Sequence, residues 1–281
     1  MKKKALIALP FAAVAAVLIA YQIIFTLPES AKVSTLSPSI KTPELACYNN
    51  PDAEVIDQQG KLNLLVWNIY KQNRPNWQSA LQSLAQDKQL VLLQEASMTV
   101  GLRAWIDKGQ WSGNVVDAFK AFDTSAGVLN LAHQLPKLAC AYTEMEPWLR
   151  LPKSAIYATY PLSNGQVLAV VNIHAINFTY GTEEYHRQLG ALANALSKHT
   201  GPMIVAGDFN SWSEERLQVM KSLLDKLAVK EAVFQPDHRK QFINGLPLDH
   251  VFYRGLVLEK AKAPLSDASD HNPIEVYFSL P

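Results

Sequence analysis

Short runs of aliphatic and β-branched residues, each stopping at a polar residue, recur along the chain from Lys61 onward. Leu62-Asn63-Leu64-Leu65-Val66-Trp67 stops at Asn68, Leu90-Val91-Leu92-Leu93-Gln94 at Glu95, and Val167-Leu168-Ala169-Val170-Val171-Asn172-Ile173 at His174. Runs of this length and composition predict buried strands. Met203-Ile204-Val205-Ala206-Gly207 leads into Asp208-Phe209-Asn210, and Leu248-Asp249-His250-Val251-Phe252-Tyr253 opens a further strand. Between them the apolar period lengthens. Trp77, Leu81, Leu84 and Ala85 predict an amphipathic helix over 76–85, Tyr185, Leu189, Leu192 and Leu196 a second over 183–199, and 213–227 a third. Ser213 ahead of Glu214 and Glu215 reads as a helix N-cap with acids favoured by the dipole. The stretch from Trp105 to Pro161 reads as shorter strands and loops, with 127–129 and 154–158 as strand candidates. Strands outnumber helices, which predicts an α/β (α+β) fold of two packed sheets rather than one doubly wound sheet.

The N-terminus carries a different pattern. Met1-Lys2-Lys3-Lys4 precedes an uncharged, mostly apolar stretch from Ala5 to Leu27. Its length is near the ~20 residues that span a bilayer and longer than the ~7–15 of a cleaved signal peptide, so residues 1–27 are expected to form a signal anchor. Export with cleavage of this segment is the alternative. The lysines before the span, against mixed charges after it, place the N-terminus inside and the body outside. Residues 28–60, with Pro28, Pro38, Pro43 and Pro51 and no sustained period, read as a linker, and 61–281 as the folded domain.

Charge narrows the partners. The chain has 26 basic and 25 acidic residues, and the three lysines of the first 27 residues leave 23 basic against 25 acidic in the rest. That balance lacks the basic clusters expected of tight binding to long nucleic acid. The cysteines, Cys47 and Cys140, are either one disulfide or two inert thiols, and no Cys/His spacing suggests zinc.

The polar strand ends form a chemically coherent set: Asn68, Glu95, His174, Asn177, Asp208, Asn210, Asp249, Asp270 and His271. Hard oxygen donors suit Mg²⁺ or Mn²⁺, and two imidazoles suit proton or phosphate handling. Asp208 and Asn210 are two apart on an extended segment and can face one side. His250 follows Asp249 and is expected to point away.

On Leu65-Val66-Trp67-Asn68, Leu92-Leu93-Gln94-Glu95, Asn172-Ile173-His174, Gly207-Asp208-Phe209-Asn210, Leu248-Asp249 and Ser269-Asp270-His271, the chain resembles the endonuclease/exonuclease/phosphatase superfamily of DNase I-like proteins, over roughly Lys61 to Leu280. Val66 to Gln72 and Asn172 to Phe178 resemble its YafD-like bacterial subgroup. The resemblance implies a four-layer α/β sandwich and a divalent-metal-dependent phosphodiesterase, nuclease-like or phospholipase C-like. It implies Glu95, Asn68 and Asp270 as metal ligands, and Asp208 orienting or deprotonating the attacking water with Asn210 on a phosphate oxygen. His271, polarised by Asp249, is then proton acceptor or phosphate ligand, and His174 the second imidazole. Asn177, Lys71, Arg150 and Lys153 are candidate substrate contacts. Ile69-Tyr70-Lys71 departs from relatives with a small or acidic residue there, which leaves a second metal position open. The expected location is the bacterial inner membrane with the domain on the periplasmic side. The expected partners are a phosphoester (nucleic acid, phospholipid headgroup or small phosphodiester) and the membrane through the N-terminal helix. A membrane-tethered module that keeps the fold without turnover is the competing reading.

Overall fold

A computed structural model describes residues 14–37 and 44–281. Among them, fifteen strands form two mixed sheets. The first sheet runs in the order β1 (Phe25–Thr26), β6 (Ser112–Ala121), β7 (Thr124–Ala132), β5 (Leu90–Ser97), β4 (Lys61–Asn68), β15 (Ile274–Ser279), β14 (Val257–Lys262), with β2 (Val33–Leu36) also on β6. The second runs β12 (Lys230–Glu231), β13 (Asp249–Arg254), β11 (Met203–Asp208), β10 (Val167–His174), β9 (Pro152–Pro161), β8 (Leu138–Met145), β3 (Cys47–Asn49). Each sheet has one parallel pair, β4 with β5 and β10 with β11. A parallel pair needs a crossover, and α2 (Trp77–Ala85) and α4 (Glu183–Leu196) supply them.

The layers follow from which faces are apolar. Between the sheets pack Leu62, Leu64, Leu90, Leu92, Ile156, Val170, Ile204 and Val276. Helices α2 and α3 (Val100–Lys108) cover the outer face of the first sheet through Leu81, Leu102 and Trp105. Helices α4 and α5 (Glu214–Leu224) cover the second through Tyr185, Leu189, Leu192 and Met220. The result is the expected α/β sandwich of two packed mixed sheets flanked by helices. Ser213 caps α5, its hydroxyl accepting from the Arg216 amide.

Three departures from the sequence reading have physical causes. Residues 105–161 hold four long strands and part of α3 rather than short pieces, because β6 to β9 mix small and polar residues with apolar ones and so hide their period. Residues 28–60, expected as a linker, contribute β2 to one sheet and β3 to the other. Cys47 in β3 sits opposite Cys140 in β8, and the two are disulfide-bonded with Cα atoms 4.0 Å apart. Of the expected span over 1–27, residues 1–13 lie outside the described residues. Residues 14–24 are helical (α1) and expose Val14, Val17, Leu18, Ile19 and Ile23. Among the described residues, no helix is long and apolar enough to cross a membrane.

Candidate active site

The second sheet aligns three of the polar strand ends in one row. His174, last in β10, pairs in register with Asp208, last in β11, which in turn pairs with Asp249, first in β13. Residues in register share a face, so the three side chains converge. Gly207 makes this row possible, because its φ is +138° and a Cβ there would lie 2.0 Å from the Ile173 carbonyl oxygen. The first sheet supplies the facing groups. Asn68 ends β4, and Glu95 sits at a register break in β5 with φ +51°. A bulge of this kind re-aims a side chain.

Behind the row, buried amides lock the sheets together. Gln94 Nε2 donates to Asn172 Oδ1 at 2.7 Å, and Asn172 Nδ2 lies 2.9 Å from Asn130 Oδ1 and 3.2 Å from the Leu93 and Leu129 carbonyls. Gln94 precedes Glu95 and Asn172 lies two before His174, so this network sets the separation of the two site residues. The loop before β15 is pinned likewise. Ser269 donates to the Asn68 carbonyl at 2.7 Å, and Trp67 Nε1 donates to the His271 carbonyl at 2.9 Å.

Asp208 is the hub. Its Oδ1 accepts from the Asn210 amide at 2.9 Å and its Oδ2 from Asn68 Nδ2 at 3.0 Å. The same Oδ2 lies 3.6 Å from His174 Nε2 and 3.9 Å from His271 Nε2. Burial, reinforced by the neighbouring Asp249 carboxylate, raises the Asp208 carboxyl above its ordinary range. Asp249 Oδ2 is 2.8 Å from His271 Nδ1. Burial alone would lower His271, but the Asp249 and Asp208 carboxylates outweigh it and raise the ring well above an ordinary imidazole. His174 moves the other way, lowered by burial and by the Lys153 and Lys71 ammonium groups. Its Nε2 lies 3.2 Å from Lys153 Nζ, so this nitrogen accepts and the ring is neutral. Burial would raise Glu95, but Lys71, hydrogen-bonded to its Oε2, and Lys153 hold the carboxyl below its ordinary value.

The remaining candidates are placed unevenly. Asn210 donates its side-chain amide to the Ala175 carbonyl at 2.8 Å. Asn177 lines the cleft with Lys71, Glu95, Lys153 and His174, a cavity of about 420 Å³, within the range of small-molecule sites. Asp270 lies near enough to help raise His271, with the Ser269 hydroxyl 3.5 Å from its Oδ1. Arg150 stands apart, in the β8–β9 loop, with its carbonyl accepting from the Tyr21 hydroxyl at 2.8 Å. His250 does point away, 2.8 Å from Ser211 Oγ and 2.6 Å from Glu231 Oε1. Two residues escaped the sequence reading. Glu146, buried, accepts from the Asn177 and Phe178 amides, and Arg216, buried, donates to the Ile176, Asn177 and Asn210 carbonyls. Neither follows an apolar strand, so only the fold brings them to the loop.

Among the described residues, Asp208, Asp249 and His271 offer ligand atoms within 4.8 Å of one another. Glu95 Oε1, 3.8 Å from the His174 Nε2 that also faces Asp208, adds a hard oxygen donor that suits a divalent cation, whereas Asn68 Oδ1 already accepts from the Tyr70 amide at 3.0 Å. At Glu95 a cation would have to share the carboxylate with the Lys71 ammonium.

The family model "Endonuclease/Exonuclease/phosphatase family" matches residues 65–271. A "UPF0294 protein" of Vibrio cholerae is 57% identical over 280 residues, covering 100% of this chain and 99% of its own. The human Nocturnin catalytic domain, solved with a bound sulfate anion, superposes with a TM-score of 0.61 at 17% identity over 82% of this chain and 98% of that one. An endonuclease/exonuclease/phosphatase from Bacteroides vulgatus does so with 0.62 at 16% identity, over 79% and 99%. Likeness at such identity speaks for the fold alone.

Proposed function

From a chain that belongs to the Endonuclease/Exonuclease/phosphatase family, we propose a phosphoesterase that hydrolyses its substrate by in-line attack of water. One observation carries the reading: Asp208 Oδ2 lies within 4 Å of both His174 Nε2 and His271 Nε2, and His174 in turn lines a cleft with Lys71 and Lys153. Asp208, raised by burial, receives the proton of the attacking water while the Asn210 amide and Asn68 Nδ2 hold its oxygens. The water oxygen bonds to phosphorus, the ester P–O bond breaks, and the departing oxygen takes a proton. Lys153, hydrogen-bonded to His174, stands beside the cleft as the donor of that proton, and His174 holds its ammonium in place. The His271 imidazolium, fixed by Asp249, offers Nε2–H to a phosphoryl oxygen. Lys71 adds a second positive charge.

Glu95, with Asn68 and Asp270 as further oxygen donors, would hold Mg²⁺ or Mn²⁺. When bound, such an ion polarises a phosphoryl oxygen and steadies negative charge on the departing one. The apolar N-terminal segment with its three leading lysines supports an inner-membrane anchor with the domain on the outer side, and a periplasm-active reporter fused after residue 40 tests it. For the activity, the full chain is assayed on a panel of phosphomonoesters and phosphodiesters with Mg²⁺, Mn²⁺ or EDTA. Turnover lost in EDTA and in a folded Glu95→Ala variant is expected. A panel untouched with either metal overturns the reading.

A further inference from the structure

The cleft has a second half that phosphoryl chemistry leaves unused. Beside Lys71, Glu95, Lys153 and His174, which hydrogen-bond in pairs, the cleft is walled by Phe25, Phe119, Leu149, Leu151 and Phe178. Large apolar side chains open to solvent neighbour this lining in sequence: Phe122 next to Ala121, Trp148 next to Leu149, and Tyr180 two residues after Phe178, with Trp148 and Tyr180 in ring contact at 4.5 Å. Scattered exposed apolar residues are ordinary, but a contiguous set around a site marks an interaction surface.

The N-terminal segment arrives at this same surface. Helix α1, apolar and exposed, runs directly into β1, which pairs Phe25 with Ala121. Phe25 packs on Phe119 at 5.8 Å and on Tyr21 at 5.1 Å, while the Tyr21 hydroxyl bonds the Arg150 carbonyl, between the lining residues Leu149 and Leu151. The N-terminal segment therefore contributes Phe25 to the cleft lining and is tied through Tyr21 to the segment that supplies Leu149 and Leu151. Any bilayer that takes up the exposed side chains of α1 lies beside the apolar lining of the cleft.

We propose, building on the phosphoesterase reading, that the substrate is a membrane amphiphile: a phosphoester whose hydrocarbon chain lies along Phe25, Phe119, Leu149, Leu151 and Phe178 while its phosphate meets Lys71 and Lys153. A nucleic acid backbone has no hydrocarbon to fill that wall. Lys71 and Lys153 against Glu95 leave one net positive charge in the cleft, which matches the single charge of a phosphodiester. The exposed side chains hold the cleft at the lipid surface, so the amphiphile reaches the site without leaving the bilayer.

The test uses the full chain reconstituted in vesicles of phosphatidylethanolamine and phosphatidylglycerol, with alkyl 4-nitrophenyl phosphodiesters from butyl to decyl as substrates. For wild type, kcat/KM is expected to rise about two- to fourfold per methylene seated in the cleft. Leu149→Ser and Phe178→Ser, at positions 50% and 51% exposed and therefore tolerant of the change, are expected to flatten that slope. Partitioning into the bilayer would raise all three proteins alike, and an equal slope in the variants overturns the inference. So does a chain-length-independent rate, which leaves the phosphoesterase reading standing. Failure to cleave any member with Mg²⁺ or Mn²⁺ overturns the inference, and the phosphoesterase reading falls with it only when the monoester and diester panel is untouched as well.

Discussion

Asn172→Ala tests whether the buried amides hold the two halves of the site in register. Asn172 is fully buried between the sheets. Its Oδ1 accepts from Gln94 Nε2, and its Nδ2 faces Asn130 Oδ1 and the Leu93 and Leu129 carbonyls. The carbonyls belong to paired strands, and Leu93 and Leu129 are themselves register partners, so they keep ladder contacts. The exposed losses are those of Gln94 and Asn130. Leaving a buried polar group short of its partner costs about 1–3 kcal/mol each, and the space vacated by the amide adds about 1 kcal/mol. The variant should lose about 3–7 kcal/mol of unfolding free energy, measured by guanidinium denaturation with tryptophan fluorescence. Asn164→Ala removes a solvent-exposed amide bonded to Gln166 at 3.0 Å and should change stability by less than about 0.5 kcal/mol. Because Gln94 and Asn172 flank Glu95 and His174, the folded Asn172 variant should also lose activity. A loss under about 1 kcal/mol would refute the reasoning, since the amides would then be shown to find equivalent partners without Asn172.

Other outcomes follow from single contacts. In Asp249→Asn the carboxylate that most raises His271 is gone, so the ring should titrate at a lower pH by NMR and kcat should fall about 10²–10³-fold; an unmoved ring titration refutes the pairing. Glu275 is pushed up by burial but held below its ordinary value overall by Lys262, Lys88 and Tyr277. Its contribution is thus present above the ordinary glutamate range near ~4.3 and lost as pH falls through the lowered folded value. Glu275→Gln should flatten the acid limb of the stability profile, and an unchanged limb removes Glu275 as a source. Reduction of the Cys47–Cys140 bond, which closes 93 residues of sequence, should cost about 2–5 kcal/mol of stability, read as a denaturant-midpoint shift with and without dithiothreitol.

What was legible in the sequence was what strands advertise. The runs ending in Asn68, Glu95, His174 and Asp208 are buried on both faces, so nearly every position is apolar and the first polar residue stands out. The helices α2, α4 and α5 were legible for the complementary reason, since each buries one stripe and exposes the rest. Strands β7 and β9 showed only their centres, 127–129 and 154–158, and β6 and β8 did not show, because small and polar residues interrupt the apolar ones in all four. Glu146 and Arg216 were invisible for another reason. Each is a charged residue in an unremarkable local context, and its role of holding the 176–178 loop arises only where β8, α5 and that loop converge. The same holds for Gln94 and Asn172, which read as strand interruptions but serve as the tie between sheets.

The two imidazoles show why residue type at a strand end does not determine its chemistry. His174 ends β10 and His271 lies in the loop before β15, yet both are buried and both lie within 4 Å of the same Asp208 oxygen. Burial pushes both toward neutrality. What separates them is the second neighbour: Lys153 at 3.2 Å from His174 against Asp249 at 2.8 Å from His271. One ring is left neutral beside an ammonium and the other charged beside a carboxylate. Asp208 therefore faces a proton-poor group on one side and a proton-rich group on the other, the asymmetry that an attacking water and an anionic phosphoryl group require. Lys153 lies in β9 and Asp249 in β13, on opposite sides of β10 and β11 in the second sheet. Strand order, which no local motif encodes, thus assigns the charge of each histidine.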